Sequence, residues 1–311
     1  MMDVNDAVIT TDRLTRYYGS KCVVEDVSFA VPRGSVTAFL GRNGSGKTTT
    51  LRMILGLLQP TRGKSSIIGE DSQNLSPQTR AAVGYLAENH PLINWMTVDG
   101  SAKFQSAFFP DWNQKIFDAT VDHFALDRKA KAGALSRGQR AGLALALTLA
   151  PEPDLLILDD PTLGLDPVAR RALLESILYI TRNPQRTVLL SSHLLEDIER
   201  VADYLLILDR AVLRAACPLE EFRNRIGSYQ LTFAATPPPL PAIPGMLDSL
   251  RVNNTLRLTV ANPPADLEQQ LAALKPLEIA RQPVNFDEAV TAYMSDRRSR
   301  GFFLETLGGA A

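Results

Sequence analysis

The 311-residue sequence predicts an α/β fold, a mixed sheet led by antiparallel strands, interrupted by a helical segment and followed by a small α+β domain. Three observations predict it. The glycine-rich stretch Gly41-Arg42-Asn43-Gly44-Ser45-Gly46-Lys47-Thr48 joins the apolar run 36–40 to the helical run 49–58. Short apolar runs recur at 83–86, 155–158 and 188–190, the form of strands buried on both faces of a parallel sheet. Past residue 229 the composition shifts, and Pro237-Pro238-Pro239, Pro241 and Pro244 form a stiff connection that neither a helix nor a central strand tolerates.

In chain order, residues 7–40 alternate apolar stretches with turn signals and read as short antiparallel strands. Tyr18, beside the Gly19 turn, can offer its ring to a base or simply pack within a strand pair. The glycine loop lets successive N–H groups point inward, and the helix that follows adds a positive dipole, so an anion belongs there. Lys47 is placed to reach outer phosphates as a point charge, and the Thr48 hydroxyl can coordinate an accompanying Mg²⁺. Runs 64–68 and 83–86 read as further strands. From 97 to 150 the period becomes helical, with Phe104, Phe108, Phe109, Trp112, Phe117 and Phe124 expected to form a helical core.

Within that segment Leu135-Ser136-Arg137-Gly138-Gln139 precedes the Ala/Leu run 141–150. Ser136 is a good N-cap, while Gly138 is a poor helix former whose bare backbone suits an anion. Strand 155–158 ends in Asp159-Asp160, at the strand end where α/β folds bind ligands; the alternative is a pair of solvated loop acids. Ser191-Ser192-His193 follows strand 188–190 at the same edge, and a lone His there is either structural or catalytic. The final domain reads as strand 230–235, a hairpin of 250–252 and 256–260 around Asn253-Asn254, helix 264–274, strand 277–280 and helix 285–298, with no chemical motif.

Basic and acidic residues balance at 33 against 34, which gives no bulk attraction to nucleic acid, and no nucleic-acid partner is expected. Cys22 and Cys217 lack metal-type spacing and fit a reducing compartment, the cytoplasm. The first ten residues lack a signal-peptide layout. The run 141–150 falls short of the roughly 20 residues of a membrane span.

In this order the motifs resemble the ATP-binding subunit of ABC transporters over residues 7–228, with Gly41 to Thr48 similar to its Walker A loop, 135–139 to the signature, 155–159 to Walker B, Leu163-Gly164-Leu165-Asp166 to the D-loop and His193 to the switch histidine. The resemblance implies a P-loop NTPase domain over 6–228, with a helical subdomain at about 97–150 and an accessory α+β domain over 229–311. It implies ATP and Mg²⁺ as ligands. Tyr18 would stack on adenine; the loop residues Gly41, Asn43, Gly44, Ser45 and Gly46, with Lys47, Thr48 and Thr49, would hold phosphates; Thr48, Asp159 and Glu88 would hold the metal.

Ser136, Gly138, Gln139 and Asp166 would act on the nucleotide held by a second subunit, so the resemblance implies a dimer, with identical chains expected. Asp160, His193, Glu88 and Lys47 would carry hydrolysis. A separate membrane permease is implied as partner, docked by 97–111 and the Glu88 loop, with the subunit peripheral on the inner membrane face and the direction export. Two positions depart from the family: Glu88 stands where Gln is usual, and Asp160 where the water-activating Glu is usual. The shorter side chain loses one C–C bond, about 1.5 Å, and a misplacement of that order can cost roughly 100-fold in rate. The alternatives are a non-transport ABC ATPase and a slowly hydrolysing ATP-gated dimerisation switch.

Overall fold

The computed structural model describes residues 6–180, 186–192 and 195–295, in two compact units that meet in sequence between Leu213 and Arg214. The first unit opens with a hairpin of β1 (Ala7–Tyr18) and β2 (Lys21–Pro32), whose tight turn carries Gly19 at φ 59°. The short strands expected over 7–40 are therefore two long ones, bent by register shifts on either side of Leu14 rather than broken by turns. Then come β3 (Val36–Leu40), α1 (Lys47–Ile54), β4 (Arg62–Ile67), β5 (Glu70–Asp71), α2 (Pro77–Ala81) and β6 (Val83–Leu86). Three helices follow: α3 (Val98–Ser106), α4 (Gln114–His123) and α5 (Arg137–Leu149). The remainder is β7 (Leu155–Asp159), α6 (Pro167–Ile180), β8 (Thr187–Ser192), α7 (Leu195–Glu199), β9 (Tyr204–Asp209) and β10 (Val212–Pro218), within which the division falls.

Two sheets organise this unit. One is antiparallel, in the order β2-β1-β4-β5. The other, six-stranded, contains the run β9-β3-β8-β7-β6, in which every pair is parallel. Its strands β3, β7, β8 and β9 are buried at every position, as expected of strands covered on both faces. Parallel pairing has a direct consequence for function: the C-terminal ends of β3, β6, β7 and β8 all emerge at one edge. The glycine loop, Glu88, Asp159-Asp160 and Ser191-Ser192 leave the sheet there.

In the second unit α8 (Leu219–Asn224) precedes β11 (Ile226–Thr232), β12 (Met246–Val252), β13 (Thr255–Ala261), α9 (Leu267–Ala272), β14 (Glu278–Gln282) and α10 (Phe286–Ser295). The sheet order is β12-β13-β11-β14, all antiparallel. The expected hairpin around Asn253-Asn254 forms, Val252 pairing with Thr255 and Asn253 taking φ 53°. Strand β11 starts earlier than the 230–235 read from sequence, so the expected division at 228/229 runs through a strand paired along its length with β13. The proline stretch links β11 to β12 inside this one sheet, with Ile243 in its core, and is not a joint between units.

The helical segment of the first unit builds its own core from Val98, Phe117, Val121, Leu143, Ala146 and their neighbours. Each helix has a sequence-encoded start: Thr97, Asn113 and Ser136 accept hydrogen bonds from the first-turn N–H groups of α3, α4 and α5. Helix α5 can press against Phe124 because residue 142 is glycine; a Cβ there would lie 2.4 Å from the ring. Not every aromatic joins the core. Phe117 is fully buried and Trp112 and Phe124 are partly so, but Phe104 and Phe108 stack edge to face on the surface, because Phe108 lies beyond the end of α3. Phe117→Ala should cost about 3–5 kcal/mol, measured as a lowered urea midpoint.

Candidate nucleotide-binding site

The glycine loop is shaped by contacts that exclude side chains. Gly44 and Gly46 have φ 78° and 112°, which only glycine adopts freely. A Cβ on Gly41 would sit 2.3 Å from the Leu208 carbonyl oxygen, and one on Gly46 2.4 Å from that of Val23. The loop is thus pressed between β9 and β2, with Asn43 and Gly44 exposed at its crest and Ser45 buried below.

Lys47 opens α1 and is almost wholly buried, at 5% exposure. Its Nζ donates to Gly41 O at 2.8 Å and lies 3.9 Å from Asp160 Oδ2. Burial pushes its pKa below the usual lysine value, while the negative charges of Asp160, Asp159 and Glu88 pull it back up. Thr48 Oγ1 donates to Asp159 Oδ1 at 3.2 Å, and Thr49 is half-buried one position further into the helix.

Asp159 and Asp160 are not the solvated loop acids of the alternative reading; both are buried. Register explains how they are held. Asp159 lies beside Ser191 on β8, and Ser191 Oγ donates to Asp159 Oδ1 at 2.8 Å while accepting from Asp160 N, also at 2.8 Å. Two buried polar atoms, Ser45 Oγ and Asp159 Oδ2, have no hydrogen-bond partner among the described residues. Orphans of this kind are costly, and a phosphate with its cation is the group that would satisfy both. The residues present fit that ligand.

Tyr18 stands at the end of β1, half exposed at 48%, with the Arg16 guanidinium 4.8 Å from its ring centroid. One ring face thus carries a cation, and about half of the side chain is open to solvent. Glu88 is half-buried after β6 and its charge reaches both Lys47 and Tyr85. His193 lies outside the described residues.

Ser136, Gln139 and Asp166 are not brought to the glycine loop. Ser136 and Gln139 form a reciprocal capping box at the head of α5, and Asp166 Oδ1 caps α6 by accepting from Val168 N and Ala169 N. Gly138 has a packing reason besides the anion-binding one, since a Cβ on it would lie 2.6 Å from the Ala169 Cβ.

Three residues without an assigned role in the sequence reading touch the site: Arg16, Ser191 and His90. Ser191 left a signal, being a polar residue ending an otherwise apolar buried strand. His90 left none, because its partner, the Pro161 carbonyl 3.1 Å away, is 71 residues distant. Burial holds the His90 pKa below its usual value, opposed by the Pro161 hydrogen bond. Ser191→Ala should strand Asp160 N and leave Asp159 Oδ1 with Thr48 Oγ1 alone, costing about 1–3 kcal/mol by urea denaturation and lowering turnover.

A family model described as ABC transporter matches residues 24–163. The chain is 31% identical over 224 residues to the bacitracin transport ATP-binding protein BcrA of Bacillus licheniformis, covering 71% of this chain and 73% of that one. It is 34% identical over 207 residues to the Nod factor export ATP-binding protein I of Ralstonia nicotianae, covering 65% and 64%. A solved structure of the ATP binding subunit of an ABC transporter superposes with TM-score 0.63 at 30% identity, over 70% of this chain and 92% of that one. The parallel-sheet edge that gathers glycine loop, buried carboxylates and Ser191, together with these likenesses, makes the chain a member of the ATP-binding proteins of ABC transporters, ATPases coupled to transport.

Proposed function

We propose that two copies of this chain close around two molecules of MgATP, and that this cycle drives export through a separate membrane permease. The observation that carries the reading is a half-built site. Lys47, Ser45, Thr48 and Asp159 furnish one side of a phosphate pocket, whereas the hydrogen bonds of Ser136 stay inside its own turn. Ser136 Oγ accepts from Gln139 N, which leaves its O–H to donate elsewhere, at the head of a 13-residue helix whose dipole favours an anion. A second copy supplies that anion, the terminal phosphate on its own Lys47.

In this reading the N–H groups of Gly41 to Thr49 wrap the phosphates, which take over the Lys47 ammonium from Gly41 O. Adenine stacks on the half-exposed Tyr18 ring with Arg16 behind it. Bound Mg²⁺ supplies charge neutralisation, and Thr48, Glu88 and Asp159 with its unpartnered Oδ2 are the residues suited to hold it. Asp160 orients the attacking water, His193 assists at the terminal phosphate, and Gly138, Gln139 and Asp166 complete the site from the partner.

Among the described residues no helix is long and apolar enough to cross a membrane. Support for the permease, and for a place on the inner membrane face, comes from the relatives named for bacitracin transport and Nod factor export. It also comes from exposed aromatics in the segment after the Glu88 loop: Trp95 is 71% exposed, and Phe108 at 67% and Phe104 at 49% stack on one another. A slow dimerisation switch is the second reading, favoured by the short Asp160 side chain paired with Lys47.

Asp160→Asn should lower kcat about 100-fold or more with ATP Kd nearly unchanged, in a steady-state phosphate-release assay beside equilibrium nucleotide binding. Retained turnover would remove Asp160 from the mechanism. Asp160→Glu decides between the two readings, because a rise of tenfold or more identifies the native chain as the slow switch and an unchanged rate as a working transport ATPase. Ser136→Arg should leave ATP binding to the monomer intact and abolish ATP-dependent dimers in light scattering. A dimer that survives would sink the trans arrangement.

A further inference from the structure

His90 is buried at 5% exposure although Asn89 and Pro91 on either side are exposed. Its Nε2 lies 3.1 Å from Pro161 O. A carbonyl oxygen only accepts, so Nε2 carries the hydrogen and donates. The backbone is bent to bring the ring there: Asn89 and His90 are consecutive non-glycine residues with φ 64° and 47°, and His90 N donates to Ala87 O at 3.2 Å to close the turn. Left-handed conformations of this kind are strained and persist only where the surroundings fix them.

Pro161 follows Asp160, which is itself at φ 44°. Three backbone polar groups at and beside that strained residue have partners. Asp160 N donates to Ser191 Oγ at 2.8 Å, Asp160 O accepts from Leu163 N at 3.0 Å, and the next carbonyl, Pro161 O, accepts from His90. The carboxylate of Asp160 therefore leaves a backbone pinned from β8 on one side and from the loop after β6 on the other. With a side chain shorter than the family's Glu, small backbone shifts are not absorbed, and a shift of about 1 Å can cost on the order of 100-fold in rate.

We propose that His90 is a positioning residue for ATP hydrolysis, holding Asp160 in its left-handed conformation through Pro161 O and coupling that conformation to the Glu88 loop on which His90 sits. This rests on the reading of Asp160 as the group that orients the attacking water. The bland alternative is a ring that fills space, and shape can be separated from hydrogen bonding. His90→Phe keeps a ring and loses the donor; His90→Gln loses the ring and keeps an N–H able to reach the carbonyl.

The experiment measures kcat and ATP Kd on the full chain for His90→Phe, His90→Gln and Asp160→Asn, with folding followed by circular dichroism. The expected result is a tenfold or greater loss of kcat in His90→Phe, ATP Kd within threefold of the parent, and at least partial recovery of kcat in His90→Gln. If His90→Phe does not fold, His90→Leu takes its place. A kcat within threefold of the parent, an ATP affinity that falls in step with kcat, or a Gln variant no better than Phe overturns the proposal while an inactive Asp160→Asn leaves the Asp160 reading standing. An Asp160→Asn variant that turns over like the parent removes both.

Discussion

A buried ammonium is the constraint on which the nucleotide site turns. Lys47 sits at the start of α1, where the helix dipole is unfavourable to a cation, and burial lowers its pKa. It is tolerated because Gly41 O accepts from it and Asp160 stands 3.9 Å away, with Asp159 behind. Those carboxylates are in turn buried, and they stay there because Ser191 bonds to both residues and Thr48 to one. Charge, counter-charge and hydroxyls thus form one connected knot. Groups in such a knot are not independent, and removing any one exposes the desolvation cost of the others.

The knot can exist only because the sheet is parallel. In register, Leu40 lies beside Ser192 and Asp159 beside Ser191, so residues more than a hundred positions apart emerge within hydrogen-bond reach. The strain at this edge is local and has identifiable restraints. Asp160, Asn89 and His90 all have positive φ, and the bonds from Ser191, Leu163, His90 and Ala87 hold them there. The loop after β6 is then tied onward to the helical segment, since Asn94 Oδ1 accepts from Arg140 Nη1 and Asn94 O from Gly133 N. A displacement of that segment has a bonded route, through residues 87–94, to the carbonyl next to Asp160.

What sequence could reveal followed from how local each determinant is. The glycine loop was legible because its spacing, its strand and its helix are contiguous, and Asp159-Asp160 because a buried strand ends in them. The cap at Ser136 was equally local. Pairwise partners were not: nothing near His90 announces Pro161, and nothing near Gly138 announces Ala169. Periodicity placed Phe104 and Phe108 in helical company but could not say which face would be covered. The proline run suggested a joint because stiffness is visible in composition, whereas the pairing of β11 with β13 that surrounds it is a long-range property. The same reason moved the division of the chain into β10, since a compact unit is defined by contacts and not by composition.

The head of α5 illustrates how one set of atoms meets two demands. Ser136 must cap its helix, which uses its oxygen as an acceptor, and Gln139 returns a bond to Ser136 N, so both exposed ends of the turn are satisfied without any ligand. An acceptor role consumes a lone pair and leaves the hydroxyl hydrogen, the one part of Ser136 that an anion can use. Gly138 is held against Ala169 at the start of α6, the helix that Asp166 caps, so this turn and the Asp166 turn are seated on one another. Because each turn is complete by itself, the surface they present is preorganised, and the anion of the proposed second copy would not first have to order it.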